Sequence, residues 1–385
     1  MRDVSMVGVG QVPVGEHWDM SLRQLALGAI QAAQADAGIE QVDAVIVANA
    51  LGGNLSSQNH LGALIAEYAG LPGAEAFRVE AADASGGVAL RQGYLAVASG
   101  AVDTVLVVGV EKATDRTGSE RDTSLATVLD ADFEAARGAT PSGIAALLMQ
   151  RYMYEYGVAL DQFEAFSINA HANGALNPFA MYRNKLKPGA FAKAPVLAPP
   201  VNLFDSAPEG DGAAAVIMTT TDRALDAVPR PVRVRGSAMA TDTLALHNRP
   251  DLLFLRAVNL AAGRAYEQAA IRPTDIDLAE LHDSYTILSA LQLEAAGFAA
   301  RGEGWKRAQD GGITREGALP VSTFGGLKAR GNPLGATGVY QAVEIALQLR
   351  RAAGENQVPN ARIGLALSIG GIGSTAVAHV LERVE

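Results

Sequence analysis

Apolar residues recur at helical spacing from Leu22 to Leu27, continue through Ile30 and Ala33, and stop at Gly38. The strand-like run Val42-Asp43-Ala44-Val45-Ile46-Val47 follows, so the pattern predicts a helix, a glycine stop and a strand. The same succession begins again at Leu255-Arg256-Ala257-Val258, passes Tyr266 and Ala270, and enters Ile276-Asp277-Leu278-Ala279-Glu280-Leu281. Later elements match as well. Asp83-Ala84-Ser85-Gly86-Gly87-Val88 leads into a helical run from Leu90 to Ala98 and a strand from Thr104 to Val108. Its counterpart is Asn332-Pro333-Leu334-Gly335-Ala336-Thr337-Gly338, a helix to about Arg350, and a strand from Ile363 to Leu367. Two copies of one α/β unit are therefore expected, residues 1–225 and 230–385, each with a largely parallel sheet covered on both faces.

Residues from about 114 to 200 break the repeat. Thr114 to Asp132 is polar, Gly143 to Tyr156 reads as an amphipathic helix, and Asn177 to Pro200 is rich in proline and lysine. An insertion of this length within a core unit is expected to cover a substrate site.

Composition narrows the function classes. The 385 residues are 49% hydrophobic and 19% charged, enough to bury a large core and far from disorder. A net charge of −10 argues against a nucleic-acid partner. No stretch approaches the roughly 18 uninterrupted apolar residues of a membrane span. The start, Met1-Arg2-Asp3-Val4, runs straight into a short apolar strand without the longer apolar core of a signal peptide, so a cytoplasmic location is expected. There is no cysteine, which excludes disulfides, zinc–thiolate sites and any thiol nucleophile. The six histidines (His17, His60, His171, His247, His282 and His379) form no i, i+4 pair and no HExxH pattern, so no metal site is expected.

Each half places a polar side chain, Asp83 or Asn332, just before a glycine-rich helix start. A pseudo-twofold axis would bring those two helix N-termini together. Their free N–H groups and positive dipole ends suit an anion or a developing oxyanion.

Six ordered blocks, spread over nearly the whole chain, resemble the thiolase family, above all its archaeal and sterol-carrier-protein type. Val79-Glu80-Ala81-Ala82-Asp83-Ala84-Ser85-Gly86-Gly87 resembles the nucleophile block, which in the family has cysteine where Asp83 stands. Val108 to Lys112 resembles the next strand and loop, and Asp211-Gly212-Ala213-Ala214-Ala215 resembles the DGAAA strand entry. His282-Asp283-Ser284-Tyr285 resembles HDxF, and Gly331 to Gly338 resembles GHPxGATG. Ser368-Ile369-Gly370-Gly371-Ile372-Gly373-Ser374 resembles the C-terminal glycine loop.

The resemblance implies an α/β thiolase fold: two pseudo-duplicated αβα halves forming a five-layered αβαβα sandwich with an inserted loop region. It implies a homodimer at least, and a small OB-fold partner that binds the acyl carrier arm. It assigns the nucleophile to position 83, its activating base to position 332, and an oxyanion or proton-handling role to His282. The family's second cysteine falls at Ser284 or near Ser368. Tyr285 lies beside Ser284, and backbone donors near Asp83 and Gly370 would form an oxyanion hole. The substrate implied is a coenzyme A or acyl-carrier thioester, with no covalently bound cofactor.

Asp83 is a weak nucleophile and Asn332 cannot take up a proton, so Claisen chemistry through an acyl-cysteine is not expected. The helix dipole draws the Asp83 pKa below its ordinary value of about 3.9 unless burial outweighs it. The expected function is therefore cysteine-independent processing of an acyl thioester by carbon–carbon cleavage, decarboxylation or direct acyl transfer. The alternative is a non-catalytic acyl-CoA-binding subunit or scaffold. Arg183, Lys185, Lys187 and Lys193 form the densest basic group and read equally well as solvated surface.

Overall fold

The computed structural model describes residues 1–384. The first half runs β1 (Val4–Gln11), α1 (Leu22–Ala37), β2 (Ala44–Ala48), α2 (Gly52–Leu55), α3 (Leu61–Tyr68), β3 (Glu75–Val79), α4 (Ser85–Ser99) and β4 (Thr104–Glu111). The insertion supplies α5 (Gly118–Ala126), α6 (Pro141–Tyr156), α7 (Glu164–Gly174) and a ribbon of β5 (Val196–Ala198) and β6 (Val201–Asn202). The chain re-enters the core through β7 (Gly212–Thr220) and α8 (Thr221–Ala227). The second half contains β8 (Val232–Thr241), α9 (Arg256–Ala269), β9 (Leu278–Glu280), α10 (Thr286–Ala295), α11 (Gly304–Gln309) and α12 (Gly326–Arg330). It ends with α13 (Thr337–Leu349), β10 (Ile363–Gly370) and β11 (Thr375–Arg383). Helix α1 stops where the pattern requires, at Gly38 in a left-handed conformation with φ 65°.

Nine strands form one sheet in the order β3-β2-β4-β7-β1-β8-β11-β10-β9. The sequence β2-β4-β7-β1 of the first half returns as β9-β10-β11-β8 in the second. The two sets meet where Ser5 pairs with Arg233 and Met6 with Val232. The sheet is mixed rather than largely parallel. Strand β2 is parallel to β3 and β4, and β9 to β10. The pairs β4–β7, β7–β1, β1–β8, β8–β11 and β11–β10 are antiparallel. The tight turn at residues 371–374 reverses the chain between β10 and β11, and the insertion returns the chain to the end of the sheet where β4 stops, pairing Glu111 with Gly212. Neither connection is the helical crossover that a parallel pair needs.

Helices α4 and α13 each pack against strands of both halves and form the central layer. Helix α1 covers β1, β7 and β4 on one outside face, and α9 covers β8 and β11 on the other. The result is the five-layered α/β sandwich. All of α13 except Leu347 is buried, as a helix enclosed on every side must be. Its polar residues are consequently paired. Gln341 Nε2 donates to the Leu367 carbonyl (3.2 Å), Gln348 Nε2 donates to the Asn356 carbonyl (2.8 Å), and Glu344 meets Arg330 at 3.0 Å.

Both central helices begin at the middle of the molecule and touch there. A Cβ on Gly86 would lie 2.7 Å from the Gly338 nitrogen, and a Cβ on Gly338 would lie 2.2 Å from the Gly87 nitrogen. Glycine is what allows backbone to approach backbone at this point. No helix among the described residues is long and apolar enough to cross a membrane.

Candidate active site

Asp83 sits on the turn between β3 and α4. Ala82, just before it, has φ +50°, a left-handed conformation that costs energy for a residue with a side chain. Local hydrogen bonds hold the turn. Ser85 Oγ accepts from the Ala81 N–H (2.9 Å) and donates to the Ala82 carbonyl (2.5 Å). Glu80 accepts from the Ala82 N–H at 2.6 Å. Among the described residues, the Asp83 carboxyl itself forms no hydrogen bond. Burial, then the nearby carboxyls of Glu209 and Glu80, push its pKa up to about 7. Burial has outweighed the helix dipole.

Asp83 opens into a cavity of about 320 Å³. One wall is apolar, built from Leu51, Leu125, Val128 and Leu334. The other is polar, with Ser142, Ser206, Glu209, Ser284, Tyr285 and Asn332. Helix α5 contributes Arg121 and Asp122, and the β10–β11 turn contributes Gly371 and Ile372. The insertion thus forms part of the wall. Glu111 secures the apolar side from beneath, accepting from the backbone N–H groups of Ala50 (2.7 Å), Leu51 (3.1 Å) and Gly335 (3.2 Å) and from Asn49 Nδ2 (2.8 Å).

Asn332 enters from the loop before α13. Its Oδ1 accepts from the Leu334 N–H and the Thr337 hydroxyl, both at 3.1 Å. The amide Nδ2 is thereby left as its donor toward the cavity. The Asn332 backbone donates to the Pro208 carbonyl (2.8 Å) and accepts from the Gly210 N–H (3.0 Å), which fixes Glu209 alongside it. Burial raises the Glu209 pKa, the Arg121 charge opposes that rise, and Asp122 adds to it. Tyr285 Oη lies 3.0 Å from Ser142 Oγ, and burial keeps its hydroxyl protonated.

Asp83, Asn332, Ser284 and Tyr285 therefore line one cavity, and Gly370 lies directly under its wall. A Cβ on Gly370 would fall 2.4 Å from the Ala81 carbonyl oxygen, so the glycine loop and the Asp83 turn are in contact. His282 and Ser368 are buried behind the wall and do not line the cavity. Ser368 Oγ donates to Gln341 Oε1 (2.6 Å) beside the contact between the two helix starts.

The His282 backbone is clamped by Gln292 at 3.1 and 2.7 Å, and both ring nitrogens are buried without a hydrogen-bond partner. Burial and the Arg330 charge lower its pKa to about 3, so the ring is held neutral at physiological pH. Near it, Arg330 pairs with Glu344 and lies 4.7 Å over the Tyr340 ring. Arg183, Lys185, Lys187 and Lys193 are exposed and do not line the cavity.

Glu209, Arg121 and Asp122 were not singled out from sequence. Glu209 stands two residues before Asp211 of the DGAAA block, where it reads as part of a strand entry. Arg121 and Asp122 lie in a polar stretch that gives no sign of facing inward. No group of His, Cys, Asp and Glu able to hold a metal ion occurs among the described residues. The cavity thus gathers two carboxyls, Asp83 and Glu209, with amide and hydroxyl donors around them, a set suited to moving protons.

Residues 4–193 match the family model "Thiolase, N-terminal domain", and residues 238–383 match "Thiolase C-terminal domain-like". The chain is 43% identical over 385 residues to an acetyl-CoA acetyltransferase of Methanothermobacter thermautotrophicus, covering 100% of both. It is 28% identical over 356 residues to a steroid side-chain-cleaving aldolase of Thermomonospora curvata, covering 89% of each. Among solved structures it superposes on one described as an Ltp2-ChsH2(DUF35) aldolase with a TM-score of 0.85 at 24% identity, covering 99% of this chain and 97% of that one.

Proposed function

The chain belongs to the thiolase family of acyl-CoA-processing proteins, and on that premise we propose that it breaks or forms a carbon–carbon bond in a coenzyme A thioester by acid–base chemistry alone. The reaction is of the aldol type and forms no acyl-enzyme. One observation carries this reading: the position that the family gives to a nucleophilic cysteine holds a carboxyl, Asp83, that lines one cavity with Glu209, Tyr285 and Asn332, where burial raises its pKa to about 7. Such a group gives and takes a proton near neutral pH, which suits general acid–base work better than nucleophilic attack.

In the cleavage direction a β-hydroxyacyl thioester enters with its carbonyl oxygen toward the Asn332 amide and the meeting helix starts of α4 and α13. Asp83, as carboxylate, takes the β-hydroxyl proton. The carbon–carbon bond breaks, its electron pair passes to the α-carbon, and the enolate oxygen is stabilised by the fixed donors. Tyr285 and Ser142 orient the polar end, and the Leu51–Leu125–Val128 wall receives the apolar part. His282 supports the Ser284–Tyr285 wall from behind as an uncharged ring. The 28% identity to an aldolase supports this direction. The 43% identity to an acetyltransferase supports acyl-CoA as substrate, while the absence of cysteine leaves that enzyme's name without its family nucleophile.

A second copy of the chain, a small OB-fold partner and a cytoplasmic location belong to the same proposal. Edge strand β3, with Phe77 45% exposed, offers the sheet edge on which a second copy would pair. The description of the solved aldolase as an assembly with a DUF35 component supports the partner.

The test offers β-hydroxyacyl-CoAs, acetoacetyl-CoA and acetyl-CoA to wild type and to Asp83→Asn. Release of an aldehyde or ketone with a shorter acyl-CoA, lost in the variant, is the expected result. Acetyl transfer from acetoacetyl-CoA with an acyl group trapped on Asp83 would overturn the reading. Micromolar coenzyme A binding without turnover of any of them would favour the non-catalytic alternative.

A further inference from the structure

Resting on that aldol reading, we infer that Glu209 is a second catalytic carboxyl, which carries the proton of the substrate α-carbon while Asp83 carries the proton of the β-hydroxyl. Aldol cleavage moves two protons, and they belong to atoms on opposite sides of the breaking bond. A site with two carboxyls approaching from different elements can serve them separately.

The backbone geometry says which carboxyl serves which atom. Glu209 is tied to Asn332 by the hydrogen bonds on either side of it, from Asn332 to Pro208 (2.8 Å) and from Gly210 to Asn332 (3.0 Å). Asn332 supplies the donor for the thioester oxygen, and the α-carbon is one bond beyond that carbonyl. The carboxyl flanking Asn332 therefore stands at the α-carbon. Asp83 approaches from the start of α4, beside the β10–β11 turn, and faces the β-position.

The groups facing Glu209 are Arg121 and Asp122 from α5, Asp83 from the α4 turn, and Tyr285 from the loop before α10. Arg121 is the one cation in the cavity wall among the described residues, and its Nε lies 4.0 Å from the Asp122 carboxylate. Burial raises the Glu209 pKa, while a backbone hydrogen bond and then the Arg121 charge oppose that rise, as suits a group that must both donate and recover a proton. The polar stretch that brings Arg121 into the wall thereby gains a definite task.

The step balances. In cleavage the protonated Glu209 gives its proton to the α-carbon as the enolate collapses, and the Asp83 carboxylate takes the hydroxyl proton. The products are the shorter acyl thioester, with one new α C–H bond, and an aldehyde or ketone. The two carboxyls have exchanged protonation states and reset through water.

The α-carbon half of the reaction can be read alone, as exchange of the α-hydrogens of acetyl-CoA or propionyl-CoA in D2O, followed by mass spectrometry or NMR. Wild type and Asp83→Asn are expected to exchange, and Glu209→Gln to lose exchange by about 100-fold or more. Cleavage is expected to fail in both variants. Glu209→Asp, which keeps a shorter carboxyl, should retain measurable exchange and so separates lost chemistry from lost fold. Exchange abolished by Asp83→Asn and untouched by Glu209→Gln would overturn the assignment. So would a wild type that cleaves β-hydroxyacyl-CoAs yet exchanges no α-hydrogen. A wild type that cleaves none of them but exchanges, with exchange lost in Glu209→Gln, would sink the aldol reading and leave Glu209 as the α-carbon group.

Discussion

Gly86 and Gly338 stand against one another at the starts of the two central helices, with room for a hydrogen at each position and for nothing larger. A methyl group on Gly338 would meet backbone of the opposite helix start, which has no rotamer to change. Gly338→Ala should therefore destabilise the protein by about 1–3 kcal/mol through overpacking. Denaturant melts check this, and an unchanged midpoint would contradict the contact.

Asp83→Asn should change the pH dependence of stability in a defined direction. The folded state holds the Asp83 proton up to about 7, against an ordinary value of about 3.9. The native state thus binds more protons than the unfolded chain between those values, and wild type loses stability there as pH rises. Asparagine does not titrate. The melting temperature of the variant relative to wild type should climb between about pH 4 and 7 and level off above. A flat difference over that interval would mean that Asp83 is not held in its acid form.

Glu111→Gln should cost about 3 kcal/mol although it removes only a charge. Both oxygens of Glu111 accept from backbone N–H groups, Ala50 and Gly335 on one and Leu51 on the other. Whichever oxygen becomes an NH2, a backbone donor loses its acceptor and faces another donor. Burial holds the Glu111 pKa near 7 even against these bonds. Chemical denaturation of the variant provides the measurement, and a loss below about 1 kcal/mol would contradict the clamp.

The alternation of helix and strand, the stop at Gly38 and the duplication were legible in the sequence, because a 3.6-residue period and glycine punctuation are local signals. So was the convergence of Asp83 and Asn332, because two copies of one unit imply a symmetry that joins equivalent points. Strand direction was not legible, since it depends on where the insertion returns the chain. Glu209 and Arg121 gave no sign because their inward orientation comes from tertiary contacts of β7 and α5. The depth of His282 and Ser368 escaped for the same reason: a motif marks the strand end, not the face a side chain takes. The sign of the Asp83 shift awaited the burial that the fold imposes on it, with Glu209 and Glu80 adding to the rise.

Arg330→Met alone should destabilise by about 3–5 kcal/mol, whereas Arg330→Met with Glu344→Leu should recover much of that loss. Arg330 and Glu344 are both fully buried at 3.0 Å, with Glu280 also raised in pKa by burial and by Glu344. Removing the cation alone strands the carboxyls, and removing both charged partners leaves apolar groups against Tyr340. A thermodynamic cycle over the two single variants and the double variant reads the difference.

The seam at Ser5–Arg233 and Met6–Val232 also bears on how the molecule holds together as an object. The sheet is continuous through that seam, yet it is a short piece of ladder beside the broad central layer in which α4 and α13 each touch both halves. Tension applied across the sheet would meet little resistance from the seam and most of it from interlocked helices. A chain cut in the exposed link after residue 229 should therefore reassemble from its two pieces, 1–229 and 230–385, on mixing. Each piece would bring part of the lining of the cavity at Asp83 and Asn332, and neither would hold all of it.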